Sequence, residues 1–369
     1  MREPAPTLPP NPKRSGGTAP DASGRCRVES LGPELLEEWD RYVYAHKDAT
    51  LFHTIAWRDS VGEAFGHEHL YVVARRESRI VGVLPLFYVS SLLGGRMLVS
   101  VPYGVGGGIL ADDDGVAEAL FTAARRIADE RRCNKIDLRS ERAAVEGIPV
   151  VDRHVGFSRE LPRAVEDLAG WLPRKARAAA RNARDKHGLE VSFGDEHLRE
   201  AWRLYSMNMR RLGSLSYPRR FLERLITYTP GGHWVCIAGR DGRAVGGLVT
   251  FMFKDSVMPY FVGTSAEARR YGTANLLYLS VMERGVECGY RVFDFGRTRR
   301  DNTGGMDFKR FHGFAPRPLE YQCYAVPGSR SADLSPSNPR FRAVRKAWTY
   351  LPLWVTQIVG ARLARHVPG

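Results

Sequence analysis

The chain has 369 residues, 43% of them hydrophobic and 10% aromatic, with a formal net charge of +14. That length suits two domains better than one core, and that composition excludes an intrinsically disordered chain. The positive excess points to an anionic partner: nucleic acid, a phosphate-bearing co-substrate or an acidic membrane surface. Cys26, Cys133, Cys236, Cys288 and Cys323 form no C-x-x-C pair and no Cys/His ligand spacing. A disulfide scaffold and a metal site are therefore not expected. No stretch is long and apolar enough to span a bilayer, and the N-terminus has no signal-peptide run, so a cytoplasmic protein is expected.

Residues 1–25, rich in Pro, Gly, Ser and Arg, read as a disordered leader. From Cys26 the pattern turns globular. Residues 31–45 have apolar side chains at helical spacing, and 51–54 lead into a second helix with Trp57, Val61 and Phe65. Strands are expected at 69–74, at 80–89 as one apolar run, and at 97–101. The loop PYGVGGG (102–108), a helix at 116–131 and a strand KIDLR (135–139) follow. The second half repeats this order, with helices at 197–212 and 221–228 and strands at 233–239, 244–254 and 257–263. A helix at 274–288 and a strand RVFDFG (291–296) close it. Ser78-Arg79-Ile80-Val81-Gly82 corresponds to Gly242-Arg243-Ala244-Val245-Gly246, and Asp137 and Asp294 take equivalent places in the final strands. An α/β unit duplicated within the chain, with mixed sheets flanked by helices, accounts for this.

Between the copies, residues 171–188 favour helix, and Gly188 offers a stop. Arg174, Arg177, Arg181 and Arg184 form one stripe there, with little acid to balance it. Arg269, Arg270, Gly272, Thr273 and Ala274 lie in an R-x-x-G-x-A turn between a strand and a helix. There, backbone N–H groups and the helix dipole suit a pyrophosphate; the alternative is an ordinary loop with exposed arginines. The glycine-rich loop 296–305 follows the last strand and holds Arg297, at the strand end where ligands gather in open α/β sheets. Next come Phe308 and Lys309. A lysine there suits the oxyanion of a tetrahedral acyl-transfer intermediate, against the alternative of a surface lysine. Asp294, Asp307, His53 and His312 are the candidates for a general base.

Five stretches carry a resemblance: ATLFHTIAWRDSV (49–61), IVGVLPLFYVSSLLGGRMLVSVPYG (80–104), MRRLGSLSYPRRFLERL (209–225), GYRVFDFGR (289–297) and DFKRFHGF (307–314). They resemble the FemAB-like branch of the GNAT acyltransferase superfamily, in particular the group found in exosortase/PEP-CTERM gene neighbourhoods. The resemblance implies two tandem GNAT-like domains, at 26–160 and 191–327, joined by a basic helix at 161–190. It implies transfer of an acyl or aminoacyl group from acyl-CoA or aminoacyl-tRNA to an amine of a cell-envelope or exopolysaccharide-related acceptor. In relatives the Phe-Lys pair lies at the transfer site, so Phe308 and Lys309 inherit that place; the general base stays open, with Asp294 the catalytic candidate read from its own strand. The 269–274 turn matches the coenzyme A loop of GNAT enzymes. Arg174, Arg177, Arg181, Arg297 and Tyr217 are the expected substrate-binding residues, and no tightly bound cofactor is implied. Relatives often read Gly-Ser/Thr-Tyr-x-Phe-Lys where this chain has Gly304-Gly305-Met306-Asp307-Phe308-Lys309. The rival class is a catalytically inactive GNAT-fold scaffold that binds RNA or membrane.

The tail, 328–369, begins with a polar linker (329–338) and carries no acid after Asp333. Arg340, Arg342, Arg345 and Lys346 precede Leu351, Trp354, Val355 and Ile358 at helical spacing. Such a segment suits the surface of an anionic leaflet; the alternative is a helix packed on the protein itself.

Overall fold

The computed structural model describes residues 26–91, 94–329 and 342–368. The expected leader at 1–25 lies outside these residues, as does all of the 329–338 linker after its first residue. The first half runs β1 (Arg27–Ser30), α1 (Leu36–Ala45), α2 (Ile55–Phe65), β2 (Glu68–His69), β3 (Val72–Arg76), β4 (Arg79–Leu84), β5 (Phe87–Ser91), β6 (Gly95–Val99), β7 (Leu110–Ala111), α3 (Asp114–Glu130) and β8 (Lys135–Leu138). Thr54 caps α2 by accepting from Trp57 N, and Gly66 ends it in the left-handed region at φ 70°. Asp113 caps α3 in the same way through Val116 N.

The single strand expected at 80–89 is two. Pro85 has no N–H for a ladder and holds its predecessor extended, so the run breaks after Leu84. The pieces then join different sheets, β4 in the order β1-β3-β4-β7 and β5 between β6 and β2 in another.

After β9 (His154–Glu160), α4 (Leu168–Trp171) and α5 (Arg174–Asp185), the second half runs β10 (Glu190–Phe193), α6 (Leu198–Arg211), α7 (Arg219–Tyr228), β11 (His233–Arg240), β12 (Arg243–Phe253), β13 (Ser256–Thr264), α8 (Thr273–Glu287), β14 (Val292–Arg299), α9 (Thr303–Phe311), β15 (Arg317–Pro318) and β16 (Gln322–Ala325). Asp241 and Gly242, both at positive φ, make the tight turn between β11 and β12. With no proline to interrupt it, β12 pairs along both edges, and one seven-stranded sheet forms in the order β10-β11-β12-β13-β14-β9-β15. The end of the loop expected at 296–305 is helix: Asn302 accepts from Gly305 N and starts α9, which carries Phe308 and Lys309.

Each half borrows a strand. β9 lies between β14 and β15 in the second sheet, and β16 pairs with β8 in the first half. The core is shared as well: Trp39, Phe52, Trp57 and Phe87 are buried in one cluster with Phe221, Phe251 and Phe261. Each such aromatic contributes about 1.5–3 kcal/mol by leaving water, so the interface between the halves is itself a hydrophobic core. The tail forms α10 (Arg342–Trp348) and α11 (Leu353–Ala364). It packs on α6 and the turn after it, where Trp348 Nε1 donates to Ser214 O at 3.2 Å.

Candidate active site

β13 and β14 run parallel but pair at only two positions, Ser256↔Val292 and Val257↔Phe293. Beyond these the strands part. On its other edge, β14 shifts register against β9 between Asp294 and Arg297, with Gly296 in the left-handed region at φ 65°. This bulge gathers three successive carbonyl oxygens toward one point. Lys309 answers them from α9: Nζ donates to Phe295 O at 2.8 Å and to Gly296 O and Arg297 O at 3.1 Å. An ammonium has three donors, so all of them are engaged. Burial lowers the Lys309 pKa to about 7, with the charge of Asp294 opposing the drop. The ammonium also lies 5.0 Å from the centre of the Phe157 ring. The Phe308 ring packs with its centre 5.5 Å from that of Tyr278 and 4.6 Å from that of His312.

Asp294 starts the same bulge and lies on the wall of a cleft of about 730 Å³ between the halves, with His53, Ser158, Glu141 and Arg317. Burial raises its pKa, offset only in part by Arg317 and by the Gly296 N–H, which donates to Oδ1 at 2.8 Å. Arg317 in turn gives two bonds, of 2.6 and 2.7 Å, to Glu141, so much of its charge is spent there. A carboxylate near a cation, held above its ordinary pKa, suits proton removal from an amine. The other candidate bases are placed less well. Burial lowers His53 to about 3, leaving it neutral. His312 is buried with Nδ1 2.8 Å from Phe308 O, and Asp307 is exposed, 3.7 Å from Arg310.

Arg297 ends the bulge at the junction of the halves. Its Nη1 lies 3.4 Å from Tyr321 OH, and Tyr260 and Tyr217 surround its charge. Tyr321 OH donates to Val105 O and Tyr260 OH to Tyr103 O, tying the second half to the 102–108 loop. Tyr217 packs 5.0 Å from Tyr103. Burial with Arg297 and Arg139 nearby lowers His154 to about 3. The result is a packed cluster of two arginines, four tyrosines and a neutral histidine at the junction of the halves. Of these residues, sequence reasoning named Arg297 and Tyr217 and missed Tyr103, Arg139, His154, Tyr260 and Tyr321. The Pro-Tyr-Gly turn at 102–104 was the available signal; no spacing relates the others.

The 269–274 turn meets the basic helix. Gly272 sits at φ 77°, and a Cβ there would lie 2.7 Å from Ala179 O of α5, so only glycine allows this approach. Thr273 is buried with its hydroxyl donating to Ala268 O at 2.7 Å. Arg270 is turned to Tyr271 OH at 2.8 Å, Arg269 is exposed, and Ala274 is half-buried at the start of α8. On α5, Arg177 donates to Ala169 O and Arg184 pairs with Glu283 at 3.5 Å, while Arg174 and Arg181 are exposed.

Residues 173–310 match a family model described as an acetyltransferase (GNAT) domain. No curated protein matches the sequence. Among solved structures, FemX shares 14% identity with a TM-score of 0.64, over 86% of this chain and 100% of FemX. A tandem GNAT protein from the clavulanic acid biosynthesis pathway shares 16% with a TM-score of 0.54, over 83% of this chain and 100% of that one. L-PGS from Bacillus licheniformis shares 16% with a TM-score of 0.50, over 91% and 98%. At such identities the likeness is one of fold.

Proposed function

Since residues 173–310 carry a GNAT domain within a tandem GNAT fold, we propose that this protein is an N-acyltransferase whose transfer site is the β14 bulge clamped by Lys309. The observation that carries the proposal is the geometry of the bulge, which sets half-buried Asp294 on the cleft wall and closes three successive carbonyls on the half-buried Lys309 ammonium, with burial raising the carboxyl's pKa and lowering the ammonium's. The acceptor amine enters the cleft beside Asp294 and attacks the acyl carbonyl, and Asp294 takes the amine proton. The acyl oxygen then displaces one carbonyl from Lys309, so that the ammonium faces the tetrahedral oxyanion. Collapse expels the thiolate of an acyl-CoA, or the ribose oxygen of an aminoacyl-tRNA, which leaves as the hydroxyl by taking the proton that Asp294 holds. Phe308 supports Lys309 from the aromatic cluster behind it.

The donor's phosphates fit the exposed Arg269 and Arg270 and the turn through Gly272, Thr273 and Ala274, with Arg174, Arg177 and Arg181 alongside on α5. Arg297 and Tyr217 hold an anionic part of a cell-envelope or exopolysaccharide-related acceptor. No helix among the described residues is long and apolar enough to cross a membrane; we place the protein in the cytoplasm, with the tail meeting the inner leaflet peripherally.

Calorimetric titration with coenzyme A, and with tRNA across a salt series, tests the donor. Heat on coenzyme A addition identifies a thioester donor, and RNA binding that weakens steeply with salt identifies the tRNA alternative. Absence of both, with no turnover of either donor, contradicts the enzyme and leaves a GNAT-fold scaffold.

A further inference from the structure

The strongest claim on the Asp294 carboxylate comes from β15. In the ladder, Arg317 stands opposite Gly156 of β9, and Ser158 of the same strand stands opposite Asp294 on β14. Only β9 separates the two side chains, and both line the cleft. Gly156 keeps the ground between them low, since a Cβ there would lie 3.2 Å from Arg317 Nε. Arg317 is also the largest opposing charge at Asp294. A guanidinium so placed ordinarily closes on the carboxylate as a two-pronged pair.

Here it does not. Both Nη atoms donate instead to Glu141, at 2.6 and 2.7 Å, and Nε is buried with no acceptor. Among the described residues, Glu141 is the only acid within ion-pair distance of Arg317. Glu141 comes from the loop after β8, so this bridge runs from the first half to the second.

The first half also braces Glu141. A Cβ on Gly106 would lie 3.3 Å from Glu141 Cγ, so the glycines of the 102–108 loop leave room for the side chain. That loop is itself tied down: Gly107 N donates to Arg139 O at 2.7 Å, and Thr50 Oγ1 donates to Gly106 O. Beyond Glu141, Ala143 N donates to Glu320 Oε2 at 2.8 Å. The carboxylate that engages Arg317 is therefore held between two fixed segments.

Taking Asp294 as the base of the proposed transfer, we propose that Glu141 is a positioning residue for it: by occupying both Nη atoms of Arg317, it holds the guanidinium off Asp294 and leaves that carboxylate free to take the acceptor's proton. The half without the transfer bulge thereby sets the reactivity of the base in the half that has it. The other charges around Asp294 do not replace this effect. Lys309 of α9 opposes proton uptake, Glu141 itself favours it, and His53, neutral across the cleft, adds no charge.

Carbon-13 NMR of the full chain with labelled aspartate carboxyls tests this without donor or acceptor, the Asp294 signal being assigned from Asp294→Asn. Glu141→Gln keeps the side-chain shape and frees Arg317, so the Asp294 midpoint falls by about one pH unit or more. Arg317→Gln breaks the same bridge but removes the cation, so the midpoint rises. Glu141→Asp, which shortens the arm but keeps the charge, gives a smaller fall and stands in should Glu141→Gln not fold. A bridge that only ties the halves together would move Asp294 the same way in the Glu141 and Arg317 variants, or not at all. Either result overturns the proposal. Because the midpoints involve no substrate, their failure leaves the transfer site to the donor titrations, and failed donor titrations leave the midpoints standing.

Discussion

Asp137 and Asp294 occupy the same place in the two copies of the α/β unit, yet their surroundings drive them apart. Burial acts to raise both. Around Asp137, however, Arg139, Lys135 and Arg297 overcome it, and the carboxyl lies below its ordinary pKa, 3.3 Å from Arg139. Around Asp294, Arg317 and one backbone N–H offset burial only in part, and the carboxyl stays above its ordinary pKa. The difference traces to the residue two positions on. The first copy has Arg139, which pairs with the aspartate; the second has Gly296, which takes φ 65° and makes the bulge that Lys309 clamps. One copy pairs its aspartate with an arginine, and the other leaves its aspartate with a raised pKa on the wall of the cleft. The sheets differ in the same sense: Pro85 divides the first, while the unbroken β12 gives the second a single frame that positions β13 and β14.

The sharpest way to break this contrast is to remove the clamp. Lys309→Ala is expected to lower turnover about 10²–10³-fold, since it deletes an oxyanion partner and leaves the bulge carbonyls without a donor. Steady-state rates beside a thermal melt separate the chemical loss from the structural one. Asp294→Asn is expected to lower kcat about 10²-fold, with melting at neutral pH unchanged or raised. The sign follows from linkage. A carboxyl whose folded pKa is raised stabilises the fold at low pH, and that contribution is lost as pH rises through the folded pKa, so a neutral side chain avoids the penalty. Asp137→Asn should do the reverse: about 2 kcal/mol of stability lost at neutral pH, with most of the turnover kept. Because the folded pKa of Asp137 is depressed, its contribution fades as pH falls through that value, so the parent and variant converge in acid.

The Lys309 pKa of about 7 adds a kinetic signature. If the ammonium form is the active one, kcat/KM falls as pH rises through about 7, and Lys309→Arg moves that limb upward. The same group makes the fold more stable between about 7 and its unfolded pKa, because the neutral form is the one that burial favours. The smallest expected effect is at the 269–274 turn: Gly272→Ala, strained at positive φ and pressed on Ala179 O, should cost about 1–2 kcal/mol in a denaturant melt.

The duplicated unit was legible in the sequence because element order and local motifs repeat at fixed places. Lys309, Phe308 and Asp294 were legible as candidates for the same reason, since they lie in short contiguous stretches. What escaped was long-range or conformational. Nothing local marks β9 and β16 as strands exchanged between halves, or brings Tyr103, Arg139, Tyr260 and Tyr321 to one cluster. The break at Pro85 was visible as a residue, but the apolar run around it reads as one buried strand. The 296–305 loop becomes helix at its end because Asn302 caps it, a signal the glycines obscured. The turn at 269–274 kept its expected place, but the close approach to α5 that requires Gly272 is a tertiary contact.

The most direct test compares Asp294→Asn with Asp137→Asn, using whichever donor the titrations identify and normalising turnover to the folded fraction. Turnover reduced about 10²-fold in Asp294→Asn with its melt intact, and a lowered melt with most turnover kept in Asp137→Asn, is the predicted result. Equal losses of turnover in both variants, or near-parent turnover in Asp294→Asn, would contradict a transfer site on the β14 bulge.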